Sequence, residues 1–458
     1  MNDFSSLPLS AAMIANLKGI GYTTMTPIQA ESIPSILNKE DVLAQAKTGS
    51  GKTAAFAIGI LHQLIVAQHQ VQALVLCPTR ELSEQVATEI RRLARFKPNI
   101  KILTLCGGSP IRPQTQSLEH RAHVVVGTPG RIGDHLRRGN LHLDYLTTLV
   151  FDEADRMLDM GFEEEINGIV SHVPNKRQTL LFSATFSDAI KTLSKKFQNS
   201  VKEIIVESIH AENIISQRFF QVEWKDKLAA TASILWTFKP ESTLIFCNTK
   251  QQCRDLLDYL TNAQFHALSI HGDLEQKERT EMLTLFSNHS ASILIGTDVA
   301  ARGLDVKDLS AVINFDMPFD PEMYIHRIGR TGRAGKEGLA FSLATPGEQH
   351  RLDEINRFQK SNFRMKNTDK LVATGEKSLM PPMMTLSING GRKSKIRPGD
   401  ILGALTKDAG IDGKLVGKIN VFDLYTYVAI DRSIARKAAE TLAKIPIKGH
   451  RFIVRLHE

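Results

Sequence analysis

The sequence predicts an α/β protein: two doubly wound parallel sheets, followed by a small βαββαβ domain. Three observations carry this expectation. Short apolar runs, bounded by polar or Gly/Pro residues, recur from Ala73 to Leu343. Helical patterns separate them, as parallel strands require. A basic segment with a different rhythm closes the sequence.

The runs come in two sets. Ala73-Leu-Val-Leu-Cys77, His123-Val-Val-Val126, Thr148-Leu-Val-Phe151 and Gln178-Thr-Leu-Leu-Phe182 form the first. Thr243-Leu-Ile-Phe246, Ser292-Ile-Leu-Ile295, Ala311-Val-Ile-Asn-Phe315 and Leu339-Ala-Phe-Ser-Leu343 form the second. Unbroken apolar runs of this length fit strands buried on both faces. The division falls near residues 207–215, giving lobes over 1–207 and 215–365. The polar stretch 366–382 ends in Pro381-Pro382 and reads as a linker. Beyond it, residues 383–458 predict strands at Met383–Ile388, Lys418–Val421, Tyr425–Ile430 and Arg451–Leu456. Helices are expected at Pro398–Lys407, opened by a proline, and at Ser433–Ile445.

Composition excludes several classes. The chain has 458 residues, 42% hydrophobic and 23% charged, an ordinary globular balance. Cys77, Cys106, Cys247 and Cys253 are too scattered for a disulfide framework, and no CxxC pair suggests structural zinc. The opening Met1-Asn2-Asp3-Phe4 has no basic region leading into an apolar run. The most apolar stretch, Ala54 to Ala67, falls short of the roughly 20 residues a membrane span needs. It reads as a buried helix. A cytoplasmic protein without membrane contact is expected. Most of the net charge of +8 sits at one end: Met380 to Glu458 holds 14 Lys and Arg against seven Asp and Glu. That excess points to an anionic partner.

The polar motifs follow the apolar runs, where open parallel sheets bind ligands. Ala46-Lys47-Thr48-Gly49-Ser50-Gly51-Lys52-Thr53 opens the apolar helix. Its glycines let backbone N–H groups face phosphate oxygens, and the helix terminus adds its positive end. Lys52 is expected on the β- and γ-phosphates, Thr53 on Mg²⁺. Ala46 stands where the usual pattern has glycine. Asp152 follows a strand, as the Mg²⁺-holding acid of such enzymes does. Glu153 is placed to orient or deprotonate the attacking water. In the second lobe Arg327, Arg330 and Arg333 recur every third residue after a helical run, a spacing that allows them to face one side. A guanidinium from there would stabilise the γ-phosphate, so hydrolysis would need the lobes to close.

These motifs together resemble the DEAD-box RNA helicases. Phe4, Tyr22 and Pro27-Ile28-Gln29 resemble the family's adenine-reading motif; Lys52 and Thr53 its phosphate loop; Asp152-Glu-Ala-Asp155 its name motif. Ser183-Ala-Thr185 matches the motif linking hydrolysis to unwinding, through hydrogen bonds to Asp155. Thr297-Asp298 with Arg302-Gly303-Leu304-Asp305 matches the next, implying that Gly303 and Asp305 approach the nucleotide. His326 to Arg333 matches the last, with Arg330 and Arg333 on the γ-phosphate. The resemblance implies RecA-like lobes, the ATP-binding domain first and the helicase C-terminal domain second. It implies ATP and Mg²⁺ as cofactors. It also implies RNA contacts from Thr79, Arg80, Gly107-Gly108, Thr128 to Arg131, Thr297, Gln276 and Arg279. Hydroxyls, arginines and glycine N–H groups suit a sugar-phosphate backbone read without sequence preference.

Gly390 to Leu405 and Val416-Gly-Lys-Ile419 resemble the RRM-like RNA-binding domain of DbpA-type helicases. The sequence stops directly after it, as that type does, whereas the cold-shock type continues. The resemblance implies direction to large-subunit ribosomal RNA and pre-ribosomal particles, by a monomer. Lys393, Lys395, Arg397 and Lys418 are candidate RNA-facing charges. Tyr425 and Tyr427 sit where an ordinary RRM carries stacking aromatics; stacking and core packing both remain open for them. Two other readings are a general cold-shock helicase and an ATP-gated RNA clamp without useful unwinding.

Overall fold

The computed structural model describes residues 3–46, 49–206, 215–298, 309–332, 337–371 and 380–457. The chain divides into two compact units. The first is built on one parallel sheet. Its strands are β1 (Val42–Gln45), β2 (Ala73–Leu76), β3 (Ile102–Leu105), β4 (Val124–Gly127), β5 (Thr148–Asp152), β6 (Gln178–Ser183) and β7 (Lys202–Ile205). They lie side by side in the order β3-β4-β2-β5-β6-β1-β7. Successive side chains of a strand point to opposite faces, and both faces are packed. Val75, Val126, Val150 and Phe182 enter one core with the helix Lys52–Gln63. Leu74, Leu76, Leu149 and Leu181 enter the other with Ile166, Ile190 and Leu193. This double burial is why these strands read as unbroken apolar runs.

The second unit holds a second parallel sheet: β8 (Ile215–Gln221), β9 (Thr243–Cys247), β10 (Ala267–Ile270), β11 (Ile293–Thr297), β12 (Ala311–Asn314), β13 (Gly338–Ala344) and β14 (Met365–Lys366). Their order is β10-β11-β9-β12-β13-β8-β14. Both sheets interleave early and late strands, the doubly wound pattern expected.

The same unit carries an antiparallel sheet of β15 (Met383–Ile388), β16 (Val416–Val421), β17 (Thr426–Asp431) and β18 (Val454–His457), in the order β16-β17-β15-β18. Helices Pro398–Gly403 and Ala435–Lys444 complete the βαββαβ order. Leu386, Ile388, Val428 and Ile430 pack against Ile401, Leu405, Ala438 and Leu442 on one face. The first helix is shorter than expected: its α-turns stop at Gly403, and Ala404–Asp408 widen into a π-turn.

The other face of this small sheet meets the second lobe. Thr385 donates to or accepts from Ser290 at 2.7 Å, and Tyr427 Oη donates to Glu281 at 3.2 Å. Thr385, Tyr427 and Ala429 point away from the domain's own helices, yet are only 0%, 4% and 1% exposed. All four cysteines of the chain are buried free thiols. Among the described residues, no helix is long and apolar enough to cross a membrane.

Candidate active site

Strand order sorts the motifs of the first unit into two neighbouring groups. β5, β6 and β1 are contiguous, so Asp152, Ser183 and the loop after Gln45 emerge side by side. β3, β4 and β2 are also contiguous, which brings together Gly107-Gly108, Thr128 and Thr79-Arg80.

In the first group, Gly51 caps the helix Lys52–Gln63 in the left-handed region, at φ +98°. A Cβ there would lie 2.5 Å from Gln29 Nε2, so only glycine fits. Gln29 accepts the Thr26 N–H at 2.9 Å and donates to the Gly51 carbonyl at 3.1 Å. The glutamine thus ties its own helix start to the phosphate loop. Lys52 is buried and donates to the Ala46 carbonyl at 2.8 Å. Ala46 in turn donates its N–H to Ser183 O at 3.0 Å. The Ser50 hydroxyl is buried, with no hydrogen-bond partner among the described residues. Phe4 is buried and meets Tyr22 edge-on; the Tyr22 hydroxyl donates to Glu89 at 2.7 Å.

Asp152 ends β5 and is 2% exposed. Burial pushes its carboxyl up to about 7; the nearby Lys52 ammonium opposes that shift and the Glu153 carboxylate adds to it. Glu153 has left-handed backbone, φ +55°, and pairs with Arg156 at 2.9 Å. This non-glycine outlier sits at the strand end, where strain marks functional turns. Asp155 accepts the Ala184 N–H at 3.1 Å, and Ser183 Oγ accepts the Thr185 N–H at 3.2 Å. The expected link between Asp155 and Ser183-Ala-Thr185 therefore exists, made by the central backbone N–H.

In the second group, Thr79 caps the helix Arg80–Leu93 by accepting the Leu82 N–H at 3.3 Å. Arg80 lies flat across Gly108: a Cβ on that glycine would sit 1.5 Å from Arg80 Nη1. Thr128 starts the helix Pro129–Arg137, and Arg131 donates back to Ser109 O at 3.0 Å.

In the second unit, Thr297 ends β11, and Gln276 opens the helix Gln276–Ser287 with Arg279 one turn on. The arginine expectation needs correction. The helix Pro321–Ile328 stops before Arg330, so Arg327 and Arg330 share no helical face. Arg327 is 1% exposed and clasps Asp298 with bonds of 2.8 and 2.6 Å. It also donates to Asp316 O at 2.7 Å and to Asn248 at 3.2 Å. Its charge is spent within its own lobe. Arg330 is buried and His326 half-buried. Lys47, Thr48, Gly303, Asp305 and Arg333 lie outside the described residues.

In the small domain Lys393, Lys395, Arg397 and Lys418 are all exposed. Lys448 donates to Lys395 O at 2.8 Å and pairs with Asp400 at 3.0 Å. Lys448 and Arg392 thereby join Lys393, Lys395 and Arg397 in one basic corner. Tyr427 is neither in the domain's own core nor open for stacking: it is covered by the second lobe, and Lys277 lies over the Tyr425 ring at 4.6 Å.

Comparison with known proteins agrees with this geometry. The DEAD/DEAH box helicase family matches residues 26–193, the helicase conserved C-terminal domain 226–335, and the DbpA RNA binding domain 385–456. ATP-dependent RNA helicase DbpA of Escherichia coli is 50% identical over all of both chains. That of Bacillus subtilis is 36% identical over 98% of each. The chain belongs to the DEAD-box ATP-dependent RNA helicases. Among solved structures, Saccharomyces cerevisiae Dbp5 bound to RNA and ADP BeF3 superposes with a TM-score of 0.74. It is 29% identical and covers 81% of this chain and 96% of that one.

Several residues of this helicase's site carried little sequence signal. Arg156 follows Glu153 by three positions on a helix, a spacing that could have found the pair. Asn248 and Asp316, which surround Arg327, follow β9 and β12, strands that are neighbours only in the fold. Lys448 is 53 positions from Lys395.

Proposed function

We propose that this helicase locally unwinds RNA duplexes, and that its C-terminal domain directs it to large-subunit ribosomal RNA during cytoplasmic assembly of the large subunit. The observation that supports the first part is the arrangement on the first sheet. Buried Lys52, Asp152 and Glu153 stand on one half of the strand ends, and Arg80, Gly108, Thr128 and Arg131 on the other. The observation that supports the second is the exposed basic corner of a DbpA-type domain.

In this reading Lys52 leaves the Ala46 carbonyl for the β- and γ-phosphates, and the buried Ser50 hydroxyl faces the same phosphates. Gln29, already fixed to the phosphate loop, reads the adenine edge with its remaining donor and acceptor capacity. Thr53 and Asp152 fit Mg²⁺. The buried Asp152 carboxyl, raised by burial, would be held ionised beside a dication. Held by Thr53 and Asp152, Mg²⁺ would neutralise charge on the phosphates. Glu153, oriented by Arg156, takes the proton of the attacking water. Arg330 and Arg333 meet the terminal phosphate when ATP and RNA close the lobes. The closed groove accepts a bent single strand and displaces its complement.

The test measures ATP hydrolysis by the full chain with large-subunit ribosomal RNA and with an unrelated RNA of equal length. Half-saturation at a much lower concentration of the ribosomal RNA is expected; equal stimulation removes the rRNA assignment. Glu153→Gln should abolish RNA-stimulated turnover, and normal turnover would remove its role as base.

A further inference from the structure

The open face of an RRM-like sheet is ordinarily where bases stack. Here the second lobe occupies it. Register places Thr385 opposite Ala429 and His457, Ser387 opposite Tyr427 and Arg455, and Asn420 opposite Tyr427, all on that face. The lobe meets it with one helix, Gln276–Ser287, and the corner that follows. Glu281 accepts the Tyr427 hydroxyl at 3.2 Å and lies 3.4 Å from His457 Nδ1. Lys277, one turn earlier on the same helix, covers Tyr425. At the corner, Asn288 donates to Thr385 at 3.3 Å, and His289, at φ +56°, offers its carbonyl to the Met383 N–H at 3.3 Å.

This contact is polar and incompletely satisfied. Among the described residues, Asn288 Oδ1, Asn420 Oδ1 and His457 Nε2 are buried without a hydrogen-bond partner. Each unmet group subtracts from the free energy of docking. The apolar side chain that the face buries most fully is only Ala429. A permanent interface would be more hydrophobic. The geometry is that of a dock made to let go, with the Glu281 carboxylate as an acceptor facing both Tyr427 and His457.

We propose that Glu281 is the positioning residue of a releasable dock, which holds the RNA-binding domain on the second lobe through Tyr427 and His457. The helix that carries it also carries Gln276 and Arg279, the residues that the motor's RNA reading assigns to nucleic acid. Both tasks share one rigid element, so strand binding at the helix start and domain docking one turn on act on the same body. The domain's anion-binding corner, at Lys393, Lys395 and Lys448, belongs to other parts of its surface. Docking therefore aims the domain without consuming its charge. The last point rests on the proposed RNA reading; the dock itself does not.

The experiment uses the full chain with dyes on the exposed positions Asp258→Cys, in the lobe, and Lys437→Cys, in the domain. Energy transfer is recorded without RNA. A single high-transfer population is expected, shifting roughly 10-fold toward low transfer in Glu281→Ala and in Tyr427→Phe, as loss of a charge-assisted bond implies. Glu281→Gln, which keeps an acceptor, should restore most of the docked population. Tyr427→Phe keeps the ring, so its thermal midpoint should stay at the wild-type value. With large-subunit ribosomal RNA as activator, the half-saturating concentration should rise several-fold in both variants, while kcat on oligo(U) stays unchanged. Unchanged transfer in both variants overturns the dock. Lost transfer with an unchanged half-saturating concentration overturns the positioning role. A wild-type chain that responds equally to both RNAs counts against the rRNA reading instead, and the transfer result stands.

Discussion

Arg327 holds Asp298 by two parallel bonds, from Nε at 2.8 Å and Nη2 at 2.6 Å, inside the second lobe. The guanidinium is 1% exposed and joins the end of β11, the loop after β9 and the segment after β12. Arg327→Ala leaves Asp298 and Asp316 O without their donor. A destabilisation of about 3–5 kcal/mol is expected, as for a broken buried pair. Arg327→Lys should recover little of it, because an ammonium cannot span both oxygens. Thermal unfolding monitored by circular dichroism checks both variants.

Asp155 and Ala184 make the corresponding link in the first unit. Asp155→Ala leaves the Ala184 N–H without its acceptor and loosens Ser183-Ala-Thr185 from the Asp152 strand end. Strand displacement of a short duplex should fall about 10-fold further than ATP hydrolysis, a difference corresponding to roughly 1.4 kcal/mol. Asp155→Asn keeps an acceptor and should fall between the two. Equal losses of both activities in Asp155→Ala would show that the bond has no coupling role.

The raised Asp152 carboxyl makes nucleotide binding depend on pH. A carboxyl whose folded value lies above its unfolded one favours the protonated fold. That contribution to stability is present below about pH 4 and is lost as pH rises through about 7. Without nucleotide, Asp152→Asn should therefore raise the thermal midpoint at pH 8 and change it little at pH 4. Mg²⁺ needs the ionised form, so Mg-ATP affinity of the wild type should rise between pH 6 and 8. Titration calorimetry across that range would show it, and Asp152→Asn should flatten the slope.

Gly108 and Arg80 are matched in shape. Gly108→Ala forces the guanidinium off the glycine and puts a side chain at φ +72°. Half-saturation by oligo(U) should rise about 5–10-fold, with kcat nearly unchanged, as expected for lost uniform binding. Arg80→Ala should cost a similar factor. The double variant should be no worse than either single one if both act on one contact.

The basic corner should show itself in salt dependence. Lys393→Ala and Lys395→Ala should each weaken RNA binding and lower the slope of log affinity against log salt by about one, if each ammonium neutralises a phosphate. Lys448→Ala should do the same and also free Asp400. Unchanged slopes in all three would place the RNA elsewhere on the domain.

Much of this fold was legible because burial on both faces writes a strand as an unbroken run: Val124 to Val126 and Leu149 to Phe151 are fully buried. Edge strands write no such run. β7 exposes Lys202, Glu203 and Ile205, so its pattern is mixed. The phosphate loop and the acids after β5 were readable because their chemistry needs fixed residues at fixed spacing. Partnerships across the fold were not. Three-residue spacing could not show that the helix ends at Ile328, leaving Arg327 buried and Arg330 beyond it. Nor could an aromatic pattern show that Tyr427 faces Glu281, since that pairing crosses 146 positions of chain.

The buried thiols have a practical side. Cys77, Cys247 and Cys253 are fully enclosed and Cys106 is 7% exposed. Burial also keeps Cys77 and Cys247 protonated, and pushes Cys106 up to about 11. A maleimide or a mild oxidant meeting the folded helicase finds no thiolate to attack. A cysteine engineered onto the surface would then be the chain's one reactive sulfur, and the native background could carry fluorophores without first being stripped of its own.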